Sequence, residues 1–305
     1  EVQSDRVLRD PTVFEAEMSP VERDLYQAIT EGTREYALAN GIKHGFLLST
    51  PQRMVASSPA ALLRTWRDEG LDADALAAAM DEIDEDEEKL AERTSGLKQW
   101  LASRTLPQFG FGDLSRSDSK FAELSKAFKR FMAEDRDAKA IVFTTFRGTA
   151  RYLVERLSAE NVEAGLLMGG AEFDKEAVVS AFREDRNCRV LVCTDVAAEG
   201  VDLQFCRLVV NYDLPWNPMR IEQRIGRIDR IGQQSKRILV WNFVHKDTID
   251  ALILGRLAQR IGVFESTLGG TEEILGQVRK LSDVLLSKNL TAAEEARLIE
   301  QAALA

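Results

Sequence analysis

A chain of 305 residues can bury a sizeable core in one large domain or two smaller ones. Its 45% apolar and 30% charged residues are those of a soluble globular protein, and no apolar run approaches the roughly 20 residues of a membrane helix, so no membrane partner is expected. A net charge of −10 argues against nucleic-acid binding by a wholly basic surface but leaves room for a local basic groove.

The chain opens on Glu1, as an excised fragment would, and its first residues are charged and mixed rather than signal-like. Three cysteines (Cys188, Cys193, Cys206) without a Cys-x-x-Cys pair speak against a disulfide framework or a zinc site, and for a reducing cytoplasm. His44 and His245, the two histidines, read as structural residues; no metal site is expected.

Residues 1–117 read as a helical extension with an acidic linker. Ser19-Pro20 is a helix start, with Ser at the N-cap and Pro in the first turn. Leu25, Ala28, Ile29, Tyr36 and Leu38 are assigned to one apolar face. Leu47–Ser58 suits a buried helix, followed by a turn at Ser57-Ser58-Pro59 and a helix through Trp66. Residues 72–93 carry the run Asp81–Glu88. Like-charge blocks of this kind are usually solvated helices or tethers, a reading preferred here over a partner-binding segment. Pro, Gly, Ser and Asp over 105–119 mark a linker.

Residues 118–246 alternate helix and strand. Phe121, Leu124, Ala127, Phe128 and Phe131 make one helical face. Apolar strands are expected at 140–143, 165–168, 189–193, 207–211 and 238–243, with amphipathic helices between them. That pattern means a parallel sheet covered on both faces, a doubly wound α/β fold. Residues 247–305 return to helix, with Ile249, Leu252, Ile253 and Leu257 as a stripe and a capping box at Thr291–Glu294.

The most informative stretch is Arg207–Gln233. A buried strand breaks at Trp216-Asn217-Pro218 and continues as a helix, with Asn217 as candidate N-cap. Gln223, Arg227 and Arg230 fall at spacings of four and three and are placed on one face of it. Gly226 is expected to let a neighbour pack closely. Arginines beside a strand's carboxyl end, outnumbering Glu222 and Asp229, suggest an anionic ligand, with phosphate the expected one: the planar fork bonds two oxygens at once, and open α/β sheets bind ligands at that end. Other strand ends add Thr144-Thr145-Phe146-Arg147 and Thr194-Asp195 through Asp202, where Thr hydroxyls and backbone N–H groups suit phosphate oxygens. Gly200 would permit φ > 0 or a close approach. Thr194-Asp195 alone could equally be a helix N-cap.

Gln223-x-x-Gly226-Arg227-x-x-Arg230-x-Gly232-Gln233 resembles motif VI of superfamily 2 helicases in its Snf2 form. Asn211–Pro218 matches the approach to that motif, and the wording as a whole resembles the bacterial Snf2-like branch, which includes the RNA-polymerase-recycling ATPase and phage-defence helicases. Met18–Tyr26 is similar to the phrase that opens the second Snf2 lobe. Motif V here reads Ala198-Glu199-Gly200-Val201-Asp202 rather than Gly-Gly-x-Gly-Leu-Asn, which argues against a nucleosome remodeller.

The resemblance implies a RecA-like C-terminal helicase lobe over 118–246 and a C-terminal helical brace after it. It implies arginine fingers at Arg227 and Arg230, and ATP contacts at Gly200, Asp202, Gln223, Arg227 and Arg230. It implies nucleic-acid contacts at Thr144, Thr145, Arg147, Thr194, Trp216 and Asn217. No Gly-x-x-x-x-Gly-Lys-Ser/Thr loop and no strand-terminal Asp-Glu box occurs in the sequence. ATP and Mg2+ would therefore be held by a missing N-terminal RecA-like lobe, and this chain alone would be inactive. The implied partners are double-stranded DNA, that lobe, and RNA polymerase or defence-system proteins. The competing reading is a non-catalytic binding module for nucleic acid or protein.

Overall fold

The computed structural model describes residues 8–41, 45–68, 87–169, 174–198, 200–215, 218–230, 232–233, 235–251 and 254. They fall into an α/β unit, drawn from within 1–15, 121–215 and 219–243, and a helical unit, drawn from within 16–120, 216–218 and 244–305.

The α/β unit is built on one six-stranded parallel sheet in the order β1-β6-β5-β2-β4-β3. The strands are β1 (Leu8–Ala16), β2 (Ala140–Thr144), β3 (Ala164–Leu167), β4 (Val190–Thr194), β5 (Leu208–Asn211) and β6 (Arg237–His245). The central strands β2, β4 and β5 are buried along their whole length. Unbroken runs such as Ile141-Val142-Phe143 do this because parallel strands are covered on both faces and have no polar side to alternate with. Register puts Val142 beside both Val192 and Val210, and Thr144 beside Thr194.

The helices of this unit are α6 (Ser119–Glu134), α7 (Arg147–Ala159), α8 (Lys175–Glu184), α9 (Asp195–Ala198) and α10 (Pro218–Ile225). The expected face of α6 is buried: Phe121, Leu124, Ala127, Phe128 and Phe131 join Leu153, Leu157, Val192, Val210, Trp241 and Phe243 in one core cluster.

Three expectations are corrected. Residues 1–70 are not all helical, because β1 pairs with β6 at the edge of the sheet. Most of β1 is exposed, so its sequence lacks a strand's apolar run; Phe14 holds it by stacking on Phe243 at 4.6 Å and meeting Trp241 edge-on at 5.3 Å. The stretch 105–119 is no loose linker. It forms a single 3-10 turn at Leu106–Gln108 and helix α5 (Phe111–Arg116), with Leu106 and Leu114 buried. The Arg67 guanidinium donates to the carbonyls of Leu106 at 2.8 Å and Phe109 at 2.7 Å. Leu38 is 68% exposed rather than on the buried face; at 3.6 residues per turn it lies on the far side from Leu25.

The helical unit otherwise follows its capping signals, with α1 (Pro20–Asn40), α2 (Gly45–Ser57), α3 (Pro59–Asp68) and α4 (Glu87–Arg104). At the start of α1 the Glu22 carboxylate accepts from the Ser19 backbone N–H at 2.7 Å and the Ser19 hydroxyl at 2.8 Å. Its other oxygen takes the Ser119 N–H at 3.1 Å. Beside it the buried His245 meets Ser119 Oγ at 3.2 Å through Nε2 and the Ala56 carbonyl at 3.0 Å through Nδ1. Burial first, and the charge of Lys120 second, push His245 down to about 3. Ile249 of the expected stripe is buried; His44, most of the run Asp81–Glu88, Leu252, Ile253 and Leu257 of that stripe, and the capping box at Thr291–Glu294 lie outside the described residues.

Candidate functional site

In the α/β unit four strand ends are tied together by Asp213 and Arg224. Asp213 follows β5, and its carboxylate accepts from the Thr144 hydroxyl and, at 2.8 Å, from the Thr145 N–H, both at the end of β2. Arg224 lies on α10 and is 2% exposed, as is Asp213. Its guanidinium grips Asp195, just past β4, through Nε at 2.6 Å and Nη2 at 2.8 Å. Nη1 donates to Asn211 Oδ1 at 3.0 Å and to the Asp213 carbonyl at 2.8 Å. Asn211 in turn donates to Asn242 of β6 at 2.8 Å.

A buried charge is tolerable only when its donors are matched in this way. Burial pulls the Arg224 guanidinium toward its neutral form, but the charge and hydrogen bonds of Asp195 and the charge of Asp213 outweigh it, so its pKa stays above the ordinary arginine value. Arg224 had counted only as one arginine among several. The signal that marks it is its placement: it lies between Ile221 and Ile225, both buried, on the inward face of α10, with the buried Ile228 in the turn beyond.

The single helical face expected for Gln223, Arg227 and Arg230 does not form, because α10 ends at Ile225. The chain continues in tight turns, with Arg227 N–H bonded to the Arg224 carbonyl at 3.2 Å and Ile228 N–H to the Ile225 carbonyl at 3.0 Å. Gly226 stands immediately after the helix, where glycine is a stop signal. A Cβ there would meet only the helix's own Glu222 carbonyl, at 3.1 Å, and that of Gln223, at 3.5 Å, so no separate element packs against it.

Arg227 is half-buried and Arg230 exposed. Arg230 Nε donates to the Gly226 carbonyl at 3.0 Å. Among the described residues no carboxylate pairs with either arginine. The neighbouring carboxylates Glu222 and Asp229 are instead held by Arg9 of β1, at 2.8 Å each.

The remaining expected residues are placed as follows. Thr144, Thr145 and Thr194 are buried, and the Thr144 hydroxyl is committed to Asp213. The hydroxyls of Thr145 and Thr194 have no hydrogen-bond partner among the described residues. Arg147 donates to the Gly169 carbonyl at 2.6 Å. Gly200 takes φ +77° with nothing near where a Cβ would stand, so a left-handed turn with open backbone occurs there. The Asp202 carboxylate accepts from the Gln204 N–H at 3.3 Å and its amide at 3.0 Å. Gln223 is exposed, while Trp216 and Asn217 lie outside the described residues. All three cysteines are buried and free, and no group of three or more His, Cys, Asp or Glu among the described residues could hold a metal ion. Among those residues, no helix is long and apolar enough to cross a membrane.

Residues 119–232 match the helicase conserved C-terminal domain. The chain is 38% identical over 143 residues to an uncharacterised ATP-dependent helicase, YqhH, of Bacillus subtilis, a match covering 47% of this chain and 25% of that protein. It is 35% identical over 141 residues to the RNA polymerase-associated protein RapA of Pectobacterium atrosepticum, covering 45% of this chain and 14% of that one. This chain thus spans a quarter or less of those relatives' length. Two solved structures share the fold at 16% identity. The C-terminal part of the Fun30 ATPase domain aligns with a TM-score of 0.61 over 92% of this chain and 98% of its own. The Sulfolobus solfataricus SWI2/SNF2 ATPase core, solved in complex with double-stranded DNA, aligns with a TM-score of 0.59 over 96% of this chain and 50% of its own.

Proposed function

We propose that the chain, whose residues 119–232 match the helicase conserved C-terminal domain, is the second motor lobe of a Snf2-type ATP-dependent translocase on double-stranded DNA. In this reading ATP and its Mg2+ are held by a separate N-terminal RecA-like lobe of the same protein. Arg227 and Arg230 reach the γ-phosphate from this side. The observation that carries the reading is the contrast between neighbouring arginines: Arg224 is saturated by Asp195, Asn211 and Asp213, whereas no carboxylate among the described residues neutralises Arg227 or Arg230.

That donor set suits a polyphosphate. Guanidinium forks bond paired oxygens, and the space beside the left-handed backbone at Gly200 leaves room for a ligand to approach closely. Gly200, Asp202 and Gln223 complete the nucleotide contacts. ATP supplies the phosphoryl group whose transfer to water develops negative charge. The chain's own part is to hold cationic donors against that charge, an effect on the order of 10³–10⁵ in rate among phosphoryl-transfer enzymes.

The segments after β2, β4 and β5 hold the DNA backbone in this proposal, through Arg147, Trp216, Asn217 and the main chain beside Thr144, Thr145 and Thr194. Phosphate contacts of that kind position a duplex without reading its sequence. The network through Asp213 and Arg224 links those loops to the arginine-bearing turn. Nucleotide-dependent movement at one is thereby coupled to grip at the other. RNA polymerase or a defence-system protein are the further partners of the whole machine, in the cytoplasm.

The test is DNA-stimulated ATP turnover in the full-length protein. Arg227→Ala or Arg230→Ala should lower it by about 10³ or more, with duplex affinity largely unchanged in fluorescence anisotropy. Wild-type turnover in both variants would sink the assignment.

A further inference from the structure

Glu222 and Asp229 share one short stretch of sequence with Arg227 and Arg230. Both carboxylates are instead taken by one side chain far away in sequence. Arg9 on β1 donates through Nη1 to Glu222 Oε2 and through Nε to Asp229 Oδ2, each at 2.8 Å, across separations of 213 and 220 residues. The fork thus spans the end of α10 and the turn that follows it. The pairs are partly exposed, with Arg9 at 40%, Glu222 at 48% and Asp229 at 24% of side-chain surface, so their contribution to fold stability is small. Their effect on charge placement is larger. With Arg9 in place, these two carboxylates pair with a third cation and not with the two arginines of the turn.

We propose that Arg9 is a positioning residue for phosphate recognition: it sequesters Glu222 and Asp229 and so leaves Arg227 and Arg230 available to an anionic ligand. The proposal rests on the reading of those two arginines as phosphate-binding. It makes β1, the edge strand, part of the nucleotide-responsive apparatus. Without Arg9 the freed carboxylates compete with phosphate for the same guanidiniums.

The experiment is DNA-stimulated ATP turnover by the full-length protein, comparing wild type, Arg9→Gln, and a triple variant that adds Glu222→Gln and Asp229→Asn. Arg9→Gln is expected to lower turnover about tenfold, the effect of two partly exposed ion pairs forming elsewhere and well short of the roughly 10³–10⁵ of a lost finger. The triple variant should return to within about twofold of wild type, because nothing is left to compete with phosphate. Unchanged turnover in Arg9→Gln overturns the proposal. So does a loss that the triple variant does not repair, since Arg9 would then act through the fold. If Arg227→Ala and Arg230→Ala both keep wild-type turnover, the finger reading has failed. If they lose it while Arg9→Gln does not, only the role of Arg9 has failed.

Discussion

Truncating Arg224 to alanine should destabilise the α/β unit by about 3 kcal/mol, the lower end of the roughly 3–5 kcal/mol for removing one partner of a buried ion pair. The change strips a guanidinium from Asp213, 2% exposed, and from Asp195, 15% exposed. Two features hold the loss to the lower end. Asp213 keeps the Thr144 hydroxyl and the Thr145 N–H as donors, and Asp195 can recover some hydration. The total stability of a domain is about 5–15 kcal/mol, so the variant should fold but melt early. In urea, with a slope of about 1–3 kcal/mol per molar, the midpoint should fall by about 1 M or more. Circular dichroism of the purified chain measures this directly. Arg224→Lys keeps the charge without the fork and should fall between the two. Asp195→Asn should cost less in the Arg224→Ala background than in wild type, by about 1–3 kcal/mol. A midpoint shift equivalent to less than about 0.5 kcal/mol, as at an ordinary surface site, or strict additivity with Asp195→Asn, would refute the account of Arg224 as a buried tie.

The isolated chain should hydrolyse no ATP above background in a phosphate-release assay, and active-site-dependent turnover would show that it is more than one lobe. His245, neutral in the fold with a pKa near 3 against the ordinary 6.5, should make stability fall as pH drops from about 6.5 toward 3, because the unfolded chain takes up a proton that the folded one refuses. The slope is up to about 1.4 kcal/mol per pH unit, and urea midpoints of His245→Asn should lack it; a wild-type profile flat over that window would mean that Glu22, 3.8 Å away, charges the ring despite its three other donors. Phe14→Ala should cost about 2 kcal/mol, less than the roughly 3–5 of a fully buried phenylalanine, read as a lower thermal midpoint. Gly200→Ala should cost about 1–2 kcal/mol from the left-handed backbone alone, since no neighbour stands where the Cβ would go; no loss of stability would show that the turn is not held in that conformation.

The core of the sheet was readable from sequence because its strands are buried on both faces. Runs such as Val190-Leu-Val-Cys193 have no other plausible home in a chain of alternating helices. The edge strand β1 was not readable. Leu8-Arg-Asp-Pro-Thr12 carries little apolar signal, and it pairs with β6 on one side while water takes the other. The arginine-bearing stretch was legible as chemistry and misread as geometry. Spacings of four and three place Gln223, Arg227 and Arg230 together only if the helix continues, and it ends at Ile225. The buried tie was hidden for another reason. Arg224 sits among less buried arginines of the same sequence texture, and only its placement beside the buried Ile221, Ile225 and Ile228 separates it from them.

The edge strand also sets an order of events in folding. Arg9 and Asp229 are 220 residues apart, and β1 has no neighbour in the sheet other than β6. At about 5–20 residues per second, a ribosome takes roughly 10–45 s to make what lies between them. Through that interval β1 has no strand to pair with, and all of residues 16–120 emerge before it can dock. Loop closure over such a separation comes late in folding. The contact that joins β1 to the turn carrying Arg227 and Arg230 is therefore a late one to form.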